Sequence, residues 1–81
     1  MIKVLFFAQT RELVGVDHLD LAGDFDTVEQ VRAHLAQQEG KWDMALEQGK
    51  LLAAVNQSIV PLDSTISDGD EVAFFPPVTG G

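Results

Sequence analysis

The rhythm of hydrophobic and polar positions changes several times along the chain. Residues Ile2 to Ala8 alternate, with Ile2, Val4, Phe6 and Ala8 on one face and Lys3, Leu5 and Phe7 on the other. Period-two alternation in β-branched and aromatic types predicts a strand. Thr10 to Val14 suits one short helical turn, with Gly15 placed to close it in a left-handed conformation. His18-Leu19-Asp20-Leu21 alternates again and predicts a second strand, Leu19 and Leu21 inward and the other face wet. Asp26-Thr27 opens a helix. Thr27 and Gln30 have capping-box spacing, and Val28, Val31 and Leu35 recur at helical intervals up to an expected stop at Gly40. A shorter helix over Lys41 to Gln48 would put Trp42, Ala45 and Leu46 on one side, with Gly49 as its end. Leu51 to Val55 is a compact apolar run and predicts a strand. Asn56-Gln57 forms a two-residue turn into Ser58-Ile59-Val60, which Pro61 interrupts. Asp68-Gly69 then turns the chain into a last strand, Glu71 to Phe75.

The predicted order is strand, strand, helix, short helix, strand, short strand, strand. The first and last strands are the most apolar, which places them side by side at the centre of a mixed sheet. One main helix covering that sheet is the economical way to bury both apolar faces. This is an α+β arrangement of the β-grasp, or ubiquitin-like, type. It predicts a domain over residues 1–75 and a projecting tail over residues 76–81.

Composition narrows the function. With 81 residues there is room for one small core. Hydrophobic residues at 46% and charged residues at 22% are ordinary for a globular chain and exclude intrinsic disorder. Lys and Arg number 5 against 13 Asp and Glu, a formal charge of −8. Such a surface repels phosphate backbones and anionic lipids, so nucleic acid and membrane are not expected partners, whereas a basic protein face is. The absence of cysteine excludes disulfides, thiolate metal sites and a thiol nucleophile. Met1-Ile2-Lys3-Val4 runs directly into a strand, and no spanning segment follows, so the expected location is the cytoplasm.

The inventory of catalytic groups is nearly empty. His18 and His34 are far apart and lack metal-ligand spacing, and they read as solvated strand and helix residues. The glycines form no phosphate-binding loop. Asp68, Asp70 and Glu71 surround Gly69 but lack the ligand count of a calcium loop, so they read as a charged turn, with no metal expected. Trp42 reads as core.

The end of the chain is different. After Glu71 it carries no charged side chain: Val72-Ala73-Phe74-Phe75-Pro76-Pro77-Val78-Thr79-Gly80-Gly81. Pro76-Pro77 donates no backbone hydrogen bond and favours a stiff extended course. Gly80-Gly81 gives the thinnest backbone available, and the α-carboxylate of Gly81 is the only reactive group at the tip. Two readings stand at this point: an arm shaped to enter a narrow channel on another protein, or an uncharged frayed tail. Strand alternation adds a second feature. If Phe6 and Phe74 enter the core with Val4 and Val72, then Phe7 and Phe75 emerge on the opposite face, with Leu5 beside Phe7 and Ile59 on a neighbouring strand. An uncovered apolar patch on a small acidic protein marks a protein contact, unless another element covers that face.

Phe6-Phe7-Ala8 with Arg11-Glu12-Leu13, then Ala54-Val55-Asn56-Gln57, then the run from Asp68 to Gly81 resemble the small subunit of molybdopterin synthase, a ubiquitin-like sulfur carrier. The resemblance spans the whole chain, and the Asp68–Gly81 run is its most specific part. It implies a cycle at Gly81. An ATP-using, E1-like adenylating enzyme converts the carboxylate to an acyl-adenylate, and a sulfur donor protein replaces AMP to leave a thiocarboxylate. The tail, Pro76, Pro77, Val78, Thr79 and Gly80, then threads into the large synthase subunit, where the sulfur passes to cyclic pyranopterin monophosphate. The implied assembly is a heterotetramer of two small and two large subunits. This chain itself would bind no cofactor, and the chemistry would lie on its partners. By the same resemblance Phe7, Ile59 and Phe75 form the apolar contact for both partners, Leu5 adjoins them, and Arg11 pairs with an acidic group. A surface pair of that kind contributes only ~0–1 kcal/mol. The alternatives are a carrier for thiamin or tRNA thiolation, a ubiquitin-like modifier joined to lysines, and an interaction module with an inert tail.

Overall fold

The computed structural model describes residues 1–47, 49 and 51–77. The elements are β1 (Ile2–Phe6), α1 (Ala8–Val14), β2 (His18–Leu21), α2 (Val28–Ala36), α3 (Trp42–Ala45), β3 (Leu52–Val55), β4 (Ser58–Val60) and β5 (Glu71–Phe75). The five strands form one mixed sheet in the order β2-β1-β5-β3-β4. β1 and β5 are parallel neighbours, and the other pairs are antiparallel. The expected β-grasp architecture is present, with the last strand at the centre of the sheet.

One face of the sheet meets α2. Val4, Val72 and Phe74 are fully buried, as are Val28 and Val31 on the helix, and Ile2, Phe6 and Leu35 join them. Burying side chains of this size contributes about 1.5–3 kcal/mol each, so this layer supplies the main folding force. Trp42 meets Phe6 edge to face at 5.5 Å and fixes α3 to the same core.

The start of α2 follows the expected capping chemistry. Thr27 Oγ1 accepts from Gln30 N at 3.2 Å, while Gln30 Oε1 accepts from Asp26 N at 2.6 Å. The next amides find carbonyls outside the helix: Val28 N donates to Ser64 O and Glu29 N to Leu62 O. The first-turn donors of α2 are thereby satisfied by the segment between β4 and β5. Arg32 is buried, which is unusual for a guanidinium. Its Nε donates to Glu29 Oε1 at 2.8 Å, its Nη2 to Glu29 Oε2, and its Nη1 to Leu46 O at 2.7 Å. It pins the end of α3 to α2 with its charge paired.

Four boundaries depart from expectation. Ala8 does not extend β1; it turns the chain with φ 53° into α1, which starts two residues earlier than Thr10. Gly15 closes that helix at φ 85°, as expected. α2 stops at Ala36 and caps at Gln37, short of Gly40. Beyond Ala36 no further apolar residue occurs before Trp42, so the helix has no face left to bury. α3 spans only Trp42–Ala45, and the predicted continuation to Gln48 falls partly outside the described residues. β3 begins at Leu52 instead of Leu51.

Candidate partner-binding face and tail root

The sheet register assembles the candidate contact. Leu5 stands opposite Ala73, Ala73 opposite Ala54, and Ala54 opposite Ile59. One apolar row therefore crosses four strands, with His18 at its β2 end opposite Leu5. A second row pairs Phe75 with Leu52. Phe7 belongs to that row's level, because Phe7 N donates to Phe74 O at 3.2 Å and carries the β1–β5 ladder past the end of the strand. Alternation puts all of these side chains on the face away from α2. Ile59 is 71% exposed, Phe7 47% and Leu52 38%, while Leu5 and Phe75 are half-buried among them. On the other side of the apolar row, Asp20, Lys3 and Glu71 pair across β2, β1 and β5 and form a charged border. Ile59 stands at the open β4 end of the row, while Ala73 and Ala54 in its middle are buried. The reading of this face as a contact surface is the one the geometry favours.

Phe7, Leu5, Ile59 and Phe75 are thus brought together, as the sequence anticipates. Leu52, Ala54 and Ala73 were not anticipated. The signal was present in the turn. Asn56 and Gln57 both have positive φ, 49° and 73°, as a type I′ hairpin requires. A two-residue turn forces Val55 opposite Ser58 and Ala54 opposite Ile59, so Leu52 and Ala54 must share the face of Ile59. The uniformly apolar run Leu51 to Val55 hid that alternation.

Arg11 lies at the edge of the patch, one helical turn after Phe7, whose carbonyl accepts from Arg11 N at 3.2 Å. It is exposed. The nearby Asp17 carboxyl is held below its ordinary value, chiefly by the His18 ring bonded to it at 2.7 Å and to a smaller degree by the charge of Arg11.

β5 leads from the core straight into the tail root. Pro76 is half-buried and Pro77 exposed. The two prolines form one wall of a groove of about 400 Å³, with Gln9, Thr10 and Leu13 of α1 and Met44 and Ala45 of α3 opposite. Val78, Thr79, Gly80 and Gly81 lie outside the described residues.

The turn before β5 is a closed polar network. Asp70 accepts from Ser67 N at 2.8 Å and from Asn56 Nδ2 at 3.1 Å, and these two donors hold its carboxyl below the ordinary value. Asn56 Oδ1 accepts from Glu71 N. Asp68 pairs with the amino group of Met1. The Asp68 and Asp70 carboxylates beside Gly69 are therefore engaged in holding the turn. His34 packs edge-on against Phe25 at 5.3 Å. Among the described residues no group of three His, Asp or Glu side chains is placed to hold a metal. No helix of these residues is long and apolar enough to cross a membrane.

Comparison with known proteins agrees with this geometry. The ThiS family model matches residues 4–81. The chain is 67% identical over 81 residues to the molybdopterin synthase sulfur carrier subunit of Escherichia coli, covering 100% of both chains. It is 64% identical to the same subunit of Haemophilus influenzae, again over 100% of both. Among solved structures it resembles the protein–protein complex of subunits 1 and 2 of the molybdopterin-converting factor from Helicobacter pylori. That match has a TM-score of 0.66 at 26% identity and covers 99% of this chain and 97% of the other. The chain belongs to the ThiS family, among the molybdopterin synthase sulfur carrier subunits.

Proposed function

We propose that this chain carries sulfur on Gly81 for molybdopterin formation, as the small subunit of a molybdopterin synthase. The observation that carries the reading is the end-to-end likeness to two sulfur carrier subunits, at 64% and 67% identity. The structure supports it with an apolar face, a tail root continuous with the central strand, and a turn whose Asp68 and Asp70 carboxylates are already engaged.

A free carboxylate resists nucleophilic attack because it is anionic at neutral pH and has no good leaving group. A carboxylate oxygen of Gly81 attacks the α-phosphorus of ATP on an E1-like adenylating enzyme and expels pyrophosphate. Sulfur at the sulfide level, delivered by a donor protein, then attacks the acyl carbon and expels AMP. The resulting thiocarboxylate is anionic and nucleophilic. Residues Pro76, Pro77, Val78, Thr79 and Gly80 thread it into the large subunit, where its sulfur attacks cyclic pyranopterin monophosphate. Hydrolysis returns the carboxylate. A dithiolene needs two sulfurs, so two loaded carriers serve each product in an assembly of two small and two large subunits.

In this scheme the domain at residues 1–75 supplies recognition through Phe7, Ile59, Phe75, Leu5 and Arg11. It binds no cofactor; ATP belongs to the adenylating enzyme. The cycle runs in the cytoplasm. Intact-mass measurement tests it. Incubation with the adenylating enzyme, ATP and a sulfur source should add about 16 Da, the exchange of oxygen for sulfur at an activated acyl group. A mass change placed on an internal residue, or none, defeats the reading.

A further inference from the structure

The groove beside the tail root is not part of the sheet face. Its walls are Leu13 of α1, Met44 and Ala45 of α3, and Pro76-Pro77, so it opens on the helical side of the last strand. Met44 is 62% exposed, although a methionine at the rim of an apolar groove gains nothing from water. The tail therefore leaves the domain between two apolar surfaces. On one side stand Phe75, Leu52 and Phe7; on the other stand Met44 and Leu13.

We propose that this groove receives an apolar side chain of the large synthase subunit, so that the subunit grips the tail root from both sides. The proposal rests on the sulfur-carrier reading. Continuity is its main argument: the prolines that begin the threaded tail are themselves a wall of the groove, so a channel that takes up the tail must pass over the opening. Volume agrees, because about 400 Å³ holds one large side chain with room for its backbone. Buried apolar anchors in pockets of this kind dominate the energetics of protein interfaces. Charge sets aside a second copy of this chain as occupant, since each copy carries −8.

The test uses the full chain with Met44→Glu and Met44→Leu. Three quantities are measured: Tm, affinity for the large subunit by calorimetry, and ATP–pyrophosphate exchange with the adenylating enzyme. Met44 is largely exposed, so both variants should melt within a few degrees of wild type. Met44→Glu should bind the large subunit at least tenfold more weakly while exchange is unchanged, and Met44→Leu should restore affinity. Unaltered affinity of Met44→Glu for the large subunit overturns the proposal. Loss of exchange to the same degree also overturns it, because the groove then serves both partners or neither specifically. Failure of the wild-type chain to bind the large subunit at all would instead sink the carrier reading.

Discussion

Leu52 and Phe75 face each other across the β3–β5 ladder on the outer side of the sheet, one strand-end from the tail root. Neither is fully exposed, and each shields part of the other. The pair therefore lies on the open side of the sheet, where the proposed recognition surface would place it, and not in the core. Phe75→Ala should weaken partner binding by roughly 2 kcal/mol, about thirtyfold, as loss of an aromatic anchor does. Its Tm should fall by only a few degrees. Calorimetry and thermal melts compare the two directly, and lost folding with retained affinity would reassign Phe75 to the interior.

Deletion of Gly81 should abolish sulfur loading while circular dichroism and Tm stay as in wild type. The core is built from residues up to Phe74, so the tip adds nothing to folding. A truncated chain that still gains about 16 Da would place the acceptor elsewhere.

Gln57 holds φ 73° at the second position of the type I′ turn. That conformation costs a side-chain-bearing residue about 1 kcal/mol, and glycine adopts it freely. Gln57→Gly should raise Tm by roughly 4–8 °C, less what glycine adds to the entropy of the unfolded chain. Carrier turnover should be unchanged. A lower Tm would mean that the Gln57 side chain makes a contact worth more than the strain.

Arg32 is the bond between α2 and α3. Arg32→Leu strands the Leu46 carbonyl and the Glu29 carboxylate, a loss of about 1–3 kcal/mol. Tm should drop by roughly 5–20 °C. Because α3 carries Met44 and Ala45, affinity for the large subunit should fall as well. A variant with wild-type Tm would show the clamp to be idle.

The same pair sets part of the acid response. The Arg32 guanidinium holds the Glu29 carboxyl below its ordinary value of 4.5, and Glu29 correspondingly raises Arg32. A depressed carboxyl favours the folded state above its unfolded value and loses that contribution as pH falls through the folded one. Tm should therefore hold down to about pH 5 and decline below it. Asp17 and Asp70 act in the same direction from exposed positions. Glu29→Gln should melt lower than wild type at pH 7 and converge with it at the acid end of the titration. Parallel curves throughout would show that the pair contributes no pH dependence.

Much of this fold is legible in the residue pattern alone. Alternation in Ile2–Phe6 and His18–Leu21 reports a real inside and outside, because each of these strands has one covered face, whereas β5 is buried through Val72, Ala73 and Phe74. The same alternation separates Phe6 from Phe7 and Phe74 from Phe75, which is why half of the contact face could be named. The other half was silent for physical reasons. Ala53 and Ala54 are small enough to suit either face, and flanking leucines erase the period in β3. Helix ends misled for a different reason. Gly15 and Gly69 sit where a positive φ is needed at an element boundary, whereas Gly40 takes its positive φ inside a connection, after α2 has run out of apolar surface. The groove at Met44 was invisible because α1, α3 and Pro76-Pro77 meet only in three dimensions.

The placement of the final strand has one more consequence. β5 is flanked by β1 and β3, so the middle of the sheet is filled by the strand that comes last in chain order. Without it β1 and β3 have no common neighbour, and Val4 and Phe6 have no Val72 or Phe74 to pack against. Nascent chains that stop early should stay unfolded and open to proteolysis. Cells would thereby accumulate few folded copies that lack β5 and, with it, the root of the tail.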